Sequence, residues 1–292
     1  MSSLTGRCVV GLIGAGILSS LSPELHEREA DELGLRYAYQ LIDIDALGLA
    51  ADDVGDLLAQ ARRMGFRGLN ITHPCKQAVV KYLDELSDEA AVVGAVNTVV
   101  FTGGRATGHN TDGFGFAEGF ARGLPGAPLG EVVLLGVGGA GAAVARAVVR
   151  LGAARLTVVD LDGERAHRIA AALGHDTPLR TVVVGAVEHL PELLRTADGF
   201  INATPVGMTP HLGTPVPPAL LRPGLWVADV VYRPLRTELL RQAADRGCRT
   251  LNGGGMVVFQ AAEAFRLFTG RTPDAERMYR HFVALTEGPD HA

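Results

Sequence analysis

The chain has 292 residues, enough for two domains at roughly 100 to 200 residues each, and its 47% hydrophobic content, 20% charged residues and 37 glycines exclude general disorder and lean toward α/β architecture. Thirty-two acidic against 27 basic side chains leave a formal net charge of −5, which removes the attraction that drives non-specific nucleic-acid binding, so no nucleic-acid partner is expected. Three cysteines, Cys8, Cys75 and Cys248, are an odd number at no metal-ligand spacing and read as reduced thiols of a cytoplasmic protein.

From the N-terminus, Cys8 to Gly14 reads as a fully buried strand. The uncharged stretch from Cys8 to Pro23 imitates a signal peptide, but glycines and serines interrupt it and no small-x-small site closes it. Ser22-Pro23-Glu24-Leu25-His26 reads as a helix start with serine capping and proline in the first turn. Strand and helix signals then alternate: Tyr37 to Ile42, a helix near Val54 to Met64, Gly68 to Thr72, a helix from Pro74 to Leu83, and an apolar run from Val92 to Phe101. Such alternation predicts a parallel sheet. After a Gly/Pro-rich connection at Gly123 to Gly130, a second series opens at Val132 to Leu135 and continues through Arg155 to Asp160, Val182 to Val184 and Phe200 to Ala203, predicting a second α/β unit. The uncharged run from Gly199 to Leu221 holds five prolines and cannot form a regular spanning helix, so no membrane partner is expected. A last helix, Met256 to Phe268, presents Val258, Ala262 and Phe265 on one face.

Two turns have dinucleotide-binding character. Gly14-Ala15-Gly16 lacks its third glycine, whereas Gly136-Val137-Gly138-Gly139-Ala140-Gly141 has the whole G-x-G-x-x-G spacing, follows a strand and opens a helix. Glycines there let a pyrophosphate approach the backbone amides of a helix N-terminus. Asp160 stands 19 residues beyond Gly141 at the end of the next strand, near the roughly 20 expected of the acid that binds the adenosine ribose. A carboxylate there favours NAD and opposes the 2′-phosphate of NADP, by about 4 kcal/mol at ~4 Å and effective dielectric 20. Arg165 and Arg168 on the following helix soften that opposition, so NADP is disfavoured rather than barred.

In the first unit, Asn70-Ile71-Thr72-His73-Pro74-Cys75-Lys76 leaves a strand and enters a helix. An ammonium at a positive helix end is disfavoured by a few tenths to ~1 kcal/mol, so Lys76 has a task there, such as carrying a proton, unless it is a solvated surface lysine. Asn97 interrupts an apolar run, and a buried amide needs partners or costs roughly 1 to 3 kcal/mol. Asp112, in Asn110-Thr111-Asp112-Gly113, reads locally as a turn or helix cap. Ser20 and Ser22 read as caps or as hydroxyls suited to a carboxylate. No metal is expected: the nine histidines are scattered, and His26-Glu27 is followed by Ala30 where a zincin needs histidine.

Taken together, Ser20-Leu21-Ser22-Pro23, Asn70 to Lys76, Gly94 to Thr98, Asn110 to Gly113, Gly136 to Gly141, Asn202-Ala203-Thr204-Pro205, Asp229-Val230-Val231-Tyr232 and Gly253 to Gln260 resemble the shikimate dehydrogenase family over nearly the whole chain. The resemblance implies an N-terminal α/β substrate-binding and catalytic domain (residues 1–112 and 257–292), a Rossmann NAD-binding domain (residues 113–256), and an active site in the interdomain cleft. It implies Lys76 and Asp112 flanking the reacting hydroxyl, Ser20 and Ser22 on the substrate carboxylate, and Thr72, Asn97, Tyr232 and Gln260 around the ring. Around the cofactor it implies Gly136, Gly138, Gly139, Ala140, Gly141, Asp160, Arg165, Thr204, Val206, Val230, Gly253 and Met256.

Asp160-Leu161-Asp162 replaces the Asn-Arg-Ser/Thr-like clamp of the NADPH-dependent biosynthetic members and resembles the NAD-dependent quinate/shikimate branch of actinobacterial type. The expected ligand is a hydroxylated ring carboxylate, quinate or shikimate, on a monomer or homodimer. Rival expectations are an NADPH-dependent shikimate dehydrogenase, an aminoshikimate or aminoquinate dehydrogenase, and a non-catalytic nucleotide-binding regulator.

Overall fold

The computed structural model describes residues 7–176 and 181–286. Residues 1–6, 177–180 and 287–292, some of which fall within the expected domains, lie outside them. The chain divides into two compact units. One holds the chain up to Thr111 and returns from Val258 onward, and the other is Asp112–Val257.

The first unit carries strands β1 (Cys8–Gly14), β2 (Tyr37–Asp43), β3 (Gly68–Ile71), β4 (Glu85–Leu86), β5 (Thr98–Thr102) and β6 (Arg105–His109). Its helices are α1 (Ser22–Glu32), α2 (Ile44–Leu47), α3 (Val54–Arg63), α4 (Cys75–Ala78) and α5 (Asp88–Val93). The second unit carries α6 (Asp112–Gly123), β7 (Glu131–Leu135), α7 (Gly139–Leu151), β8 (Arg155–Val159), α8 (Gly163–Asp176), β9 (Thr181–Gly185), α9 (Leu190–Thr196), β10 (Gly199–Asn202), β11 (Trp226–Asp229), α10 (Glu238–Asp245) and β12 (Arg249–Leu251). The boundary falls within α11 (Gly254–Thr269), and α12 (Ala275–Thr286) follows.

In the first unit the sheet order is β2-β1-β3-β5-β6-β4. β2, β1 and β3 run parallel, but β5 is antiparallel to both β3 and β6. The purely parallel sheet expected from the alternation therefore holds for only part of this unit. Val92 and Val93 also belong to α5 rather than to a strand: Gly94 ends that helix at φ +67°, a left-handed conformation that glycine adopts without a Cβ penalty. The run from Val92 to Phe101 is therefore a helix end, a turn and a strand. The helix expected from Pro74 to Leu83 is α4 followed by a 3₁₀ turn, Val79–Tyr82, and the expected last helix is followed by a further one, α12.

β1 shows why a continuous apolar run makes a central strand. Cys8, Val10 and Leu12 alternate onto one face, where Tyr39, Ala264 and Phe268 complete a core. Ile13 faces the opposite layer with Val54, Leu58, Leu69 and Ile71. Such burial on both faces is expected of parallel strands covered by helices.

In the second unit the order is β12-β11-β10-β7-β8-β9, all pairs parallel. Val133, Leu135, Phe200 and Val227 pack with Leu190, Leu194 and Leu239 in its core. The order reverses beside β7, the strand that feeds the glycine turn, and such reversals are where open α/β sheets bind ligands. Among the described residues no helix is long and apolar enough to cross a membrane, and no group of three or more His, Cys, Asp and Glu is placed to hold a metal ion.

Candidate active site

In the first unit Thr72, Asn97 and Thr111 lie at the neighbouring ends of β3, β5 and β6. Asn97 is their hub. It is buried, and its carbonyl accepts the Ile71 N–H at 2.8 Å while its own N–H donates to the His109 carbonyl at 3.0 Å. Its side-chain Nδ2 donates to Thr111 Oγ1 at 2.9 Å, and its Oδ1 accepts the Thr111 N–H at 2.9 Å. One residue earlier, the Val96 N–H donates to the Lys76 carbonyl at 2.9 Å. The backbone of Lys76 is thus tied, through Val96 and Asn97, to Thr111, the covalent neighbour of Asp112.

Lys76 is the second residue of α4, which four residues make too short for a substantial dipole. Asp112 is the first residue of α6 and is buried. Thr72 donates its N–H to the Ile13 carbonyl at 2.9 Å, which fixes it beside the end of β1. Gln260, on α11, lies with its Oε1 3.5 Å from Thr111 Oγ1.

Ser20 and Ser22 lie at the start of α1, with hydroxyls 3.1 Å apart. Ser22 is the first helical residue rather than the cap; Ser20 Oγ accepts its N–H at 3.2 Å. Asp43 holds the loop before them, accepting the Gly16 N–H at 3.1 Å and the Ile17 N–H at 2.8 Å. Burial works to raise the pKa of Asp43, but the backbone amides of Ile17, Gly16, Asp45 and Ala46 outweigh it and hold the carboxyl below its usual range. An internal carboxylate therefore occupies the amides of the incomplete glycine turn.

Tyr39, Asn70 and Thr111, for which the sequence implies no site role, join these side chains underneath. The Ser22 hydroxyl bonds to Tyr39, whose phenol is pushed up by burial. Tyr39 Oη donates to Asn70 Oδ1 at 2.8 Å, and Asn70 Nδ2 donates to Thr98 Oγ1 at 3.0 Å. Thr98 Oγ1 donates to Asn97 Oδ1 at 3.0 Å. Asn70 alone carried a local signal, a polar residue between Leu69 and Ile71 in an otherwise apolar strand. His26 is a core residue, packed among Tyr37, Tyr39, Phe265 and Phe268, with burial lowering its pKa to about 3.

In the second unit the chain leaves β7 through Gly136 at φ +90° and enters α7, for which Gly138 is the N-cap. A Cβ on Gly141 would collide with the Gly136 carbonyl, so this glycine lets helix and turn close on each other. At Gly138 a Cβ would meet nothing within 4 Å. The space over the first turn of α7 is thus open toward backbone amides that no helical carbonyl can satisfy, as a pyrophosphate requires, and the turn fits a dinucleotide. Gly139 and Ala140 lie in that first turn.

Asp160 follows β8. Its Oδ2 accepts the Val137 N–H at 2.7 Å, and its Oδ1 accepts the Asp162 N–H at 2.9 Å and Arg165 Nη2 at 2.7 Å. Burial works to raise its pKa, but Arg165 and the two amides outweigh burial and hold the carboxyl below the usual range. Thr204 and Val206 follow β10, and Val230 and Tyr232 follow β11. Gly253 and Met256 line a small apolar recess with Phe116, Gly119 and Val230.

Two family models match the chain: "Shikimate dehydrogenase substrate binding domain" over residues 12–99 and "Shikimate 5'-dehydrogenase C-terminal domain" over residues 253–281. A Streptomyces avermitilis protein named "Shikimate dehydrogenase (NADP(+))" is 61% identical, with 95% of each chain covered. A Corynebacterium glutamicum protein named "Quinate/shikimate dehydrogenase (NAD(+))" is 45% identical over 95% of this chain and 98% of its own. The solved structure of quinate dehydrogenase from Corynebacterium glutamicum in complex with NAD superposes with a TM-score of 0.89 at 45% identity, covering 95% of this chain and 99% of that one.

Proposed function

The chain belongs to the shikimate dehydrogenase family, oxidoreductases acting on a CH–OH group with a nicotinamide dinucleotide, and on that premise we propose that it is an NAD-dependent quinate/shikimate dehydrogenase. The reaction is reversible oxidation of the C3 hydroxyl of quinate or shikimate to the 3-dehydro acid. The dinucleotide, when bound, takes the hydride from C3 and returns it in reduction.

Ser20 and Ser22 hold the substrate carboxylate, with Asp43 bracing the loop that carries them. Thr72, Asn97, Gln260 and Tyr232 hold the ring hydroxyls; Asn97 and Gln260 share Thr111 as a brace. As hydride leaves C3 the attached hydroxyl becomes strongly acidic, and a positioned base is worth roughly 10² to 10⁴ in rate. The Lys76 amine takes that proton and becomes the ammonium, and Asp112 orients the hydroxyl and the amine. The tie from Lys76 through Val96 and Asn97 to Thr111 supports joint action, since a fixed geometry removes the entropic cost of bringing groups together.

Asp160 is the observation that carries the coenzyme reading: a carboxylate held ionised after β8, bonded to the glycine turn through the Val137 amide. It accepts a hydrogen bond from a ribose hydroxyl and repels a 2′-phosphate. Two observations favour the second reading, NADP use: Arg165 already pairs with Asp160 at 2.7 Å, and the Streptomyces avermitilis relative is named for NADP.

Initial rates with quinate and shikimate, each with NAD and NADP, test the proposal. The expected result is higher kcat/KM with NAD, and Asp160→Ser shifting the NAD-to-NADP ratio at least about tenfold toward NADP, one charge contact being worth several kcal/mol before screening. Faster turnover with NADP in the unmodified protein would establish the second reading instead.

A further inference from the structure

We propose that Asp229 is a positioning residue for the nicotinamide end of the dinucleotide site, a buried carboxylate that clamps together the two loops following β10 and β11. This rests on the reading that the second unit binds a nicotinamide dinucleotide.

Asp229 closes β11 and stands directly opposite Asn202, the last residue of β10. Its Oδ1 accepts Asn202 Nδ2 at 3.0 Å and the Val231 N–H at 3.1 Å, and its Oδ2 accepts the Thr237 hydroxyl at 2.7 Å. Asn202 passes the constraint onward. Its Nδ2 also donates to the Val206 carbonyl at 3.0 Å, while its Oδ1 accepts the Thr204 N–H at 3.1 Å and the Thr204 hydroxyl at 2.7 Å. Thr204 Oγ1 in turn accepts the Val206 N–H at 3.2 Å. Thr237 caps α10 by accepting the Leu240 N–H at 3.3 Å. One carboxylate thereby fixes Thr204 to Val206, the turn into Val231, and the start of α10, all beyond the carboxyl ends of parallel strands, where such sheets bind ligands.

An acceptor-only carboxylate matches this arrangement, because three donors converge on its two oxygens and none is a cation. A proton on Oδ2 would turn that oxygen into a donor, so the Thr237 hydroxyl would have to rotate to accept it and give up its own bond to Asp229. Burial raises the Asp229 pKa to about 6 against the opposing bonds from Thr237, Val231 and Asn202. On α10, Glu238 is bonded to Arg241 and Gln242, and on α6 Glu118 pairs with Arg122. The titratable residues of the flanking loops are His211 after β10, and Tyr232, Arg233 and Arg236 after β11. From α6, β12, α11 and the turn between the last two, the recess beside Asp229 receives Phe116, Gly119, Leu251, Gly253 and Met256, none of them charged.

The test uses the full chain and Asp229→Asn, which preserves shape and the two bonds at Oδ1 but removes the charge. Each protein is titrated calorimetrically with NAD⁺ and with ADP-ribose, which ends before the nicotinamide ring, on both sides of pH 6. NADP⁺ and 2′-phospho-ADP-ribose are run in parallel, so coenzyme preference does not enter. Above pH 6 the variant is expected to bind the preferred dinucleotide about tenfold more weakly, the loss of one misplaced hydrogen-bonding group, with ADP-ribose binding unchanged. In the unmodified protein dinucleotide affinity falls as pH drops through 6, whereas in the variant it does not.

Thr237→Val, which removes the donor at Oδ2 and keeps the carboxylate, is expected to show the same selective loss and carries the test if the first variant does not fold. Equal weakening of both ligands, unchanged dinucleotide affinity, or a pH dependence that persists in the variant would overturn the proposal. Failure of the underlying reading registers separately, as absence of binding of NAD⁺ and NADP⁺ alike by the unmodified protein.

Discussion

Lys76 and Asp229 stand in opposite relations to the stability of the protein. Lys76→Ala removes a half-buried side chain from a helix of four residues and costs little packing, yet kcat is expected to fall by roughly 10² or more while dinucleotide affinity stays near its original value. Steady-state rates beside a coenzyme titration check this, and full turnover in the variant would remove Lys76 from the chemistry. Asp229 carries its cost in the folded state. With a folded pKa near 6 against an ordinary 3.8, the unfolded chain releases this proton first as pH rises, so the contribution of Asp229 to stability is greatest below about pH 4 and declines until pH 6. About two pKa units correspond to about 3 kcal/mol. Asp229→Asn, neutral at every pH, is therefore expected to melt no lower than the unmodified protein above pH 6, measured by thermal unfolding; a large drop would mark the carboxylate as a net structural support. A residue retained at the expense of stability is what a binding role predicts.

At the scale of elements, Glu29 and Arg277 fasten α12 to α1. The Glu29 side chain is 1% exposed and accepts Arg277 Nη2 at 2.7 Å and Nε at 2.9 Å, with the Asp274 N–H at 2.7 Å. Removing Arg277 strands the buried Glu29 charge, a loss of about 3 to 5 kcal/mol for a fully buried pair and less here because Arg277 is 30% exposed, whereas replacing both by apolar residues is often nearly neutral. Chemical denaturation should accordingly show Arg277→Met destabilised and Glu29→Met/Arg277→Met restored most of the way; additive losses would contradict that account. No local pattern announces this pair, because its members stand 248 positions apart, and α12 itself was not read from the sequence. Legibility followed locality. The glycine turn, Asp160 and the strand of Val132 to Leu135 declare themselves within a few residues, since backbone approach and burial on both faces restrict residue type on the spot. The antiparallel β5 does not, because its direction is set by the Gly94 turn and by pairing with β6. Asn97 was legible as a buried amide needing partners; that Thr111 is the partner emerges only when β5 and β6 lie side by side.

Across the whole chain, the first unit cannot be completed by its N-terminal portion alone. Ala264 and Phe268 of α11 share a core with Cys8, Val10, Leu12 and Tyr39, Phe265 stacks near Tyr37 and His26, and Gln260 reaches the Thr111 hydroxyl. Deleting the chain after Val257 removes these large side chains, and losing even one buried Phe costs about 3 to 5 kcal/mol, comparable to much of the 5 to 15 kcal/mol that holds a typical domain folded. The second unit keeps its own apolar core, built on Val133, Phe200, Val227 and Leu239, together with the glycine turn and the Asp229 cluster. The truncated protein is therefore expected to lose quinate and shikimate oxidation entirely and to become protease-sensitive throughout the N-terminal unit, while binding ADP-ribose within about threefold of the full chain, a difference of under 1 kcal/mol. Limited proteolysis followed by mass analysis, combined with an ADP-ribose titration, reads both halves of the expectation. Loss of ADP-ribose binding on truncation would show that the second unit depends on the first for its fold, and protease resistance of the N-terminal unit would show that α11 and α12 are dispensable to its core.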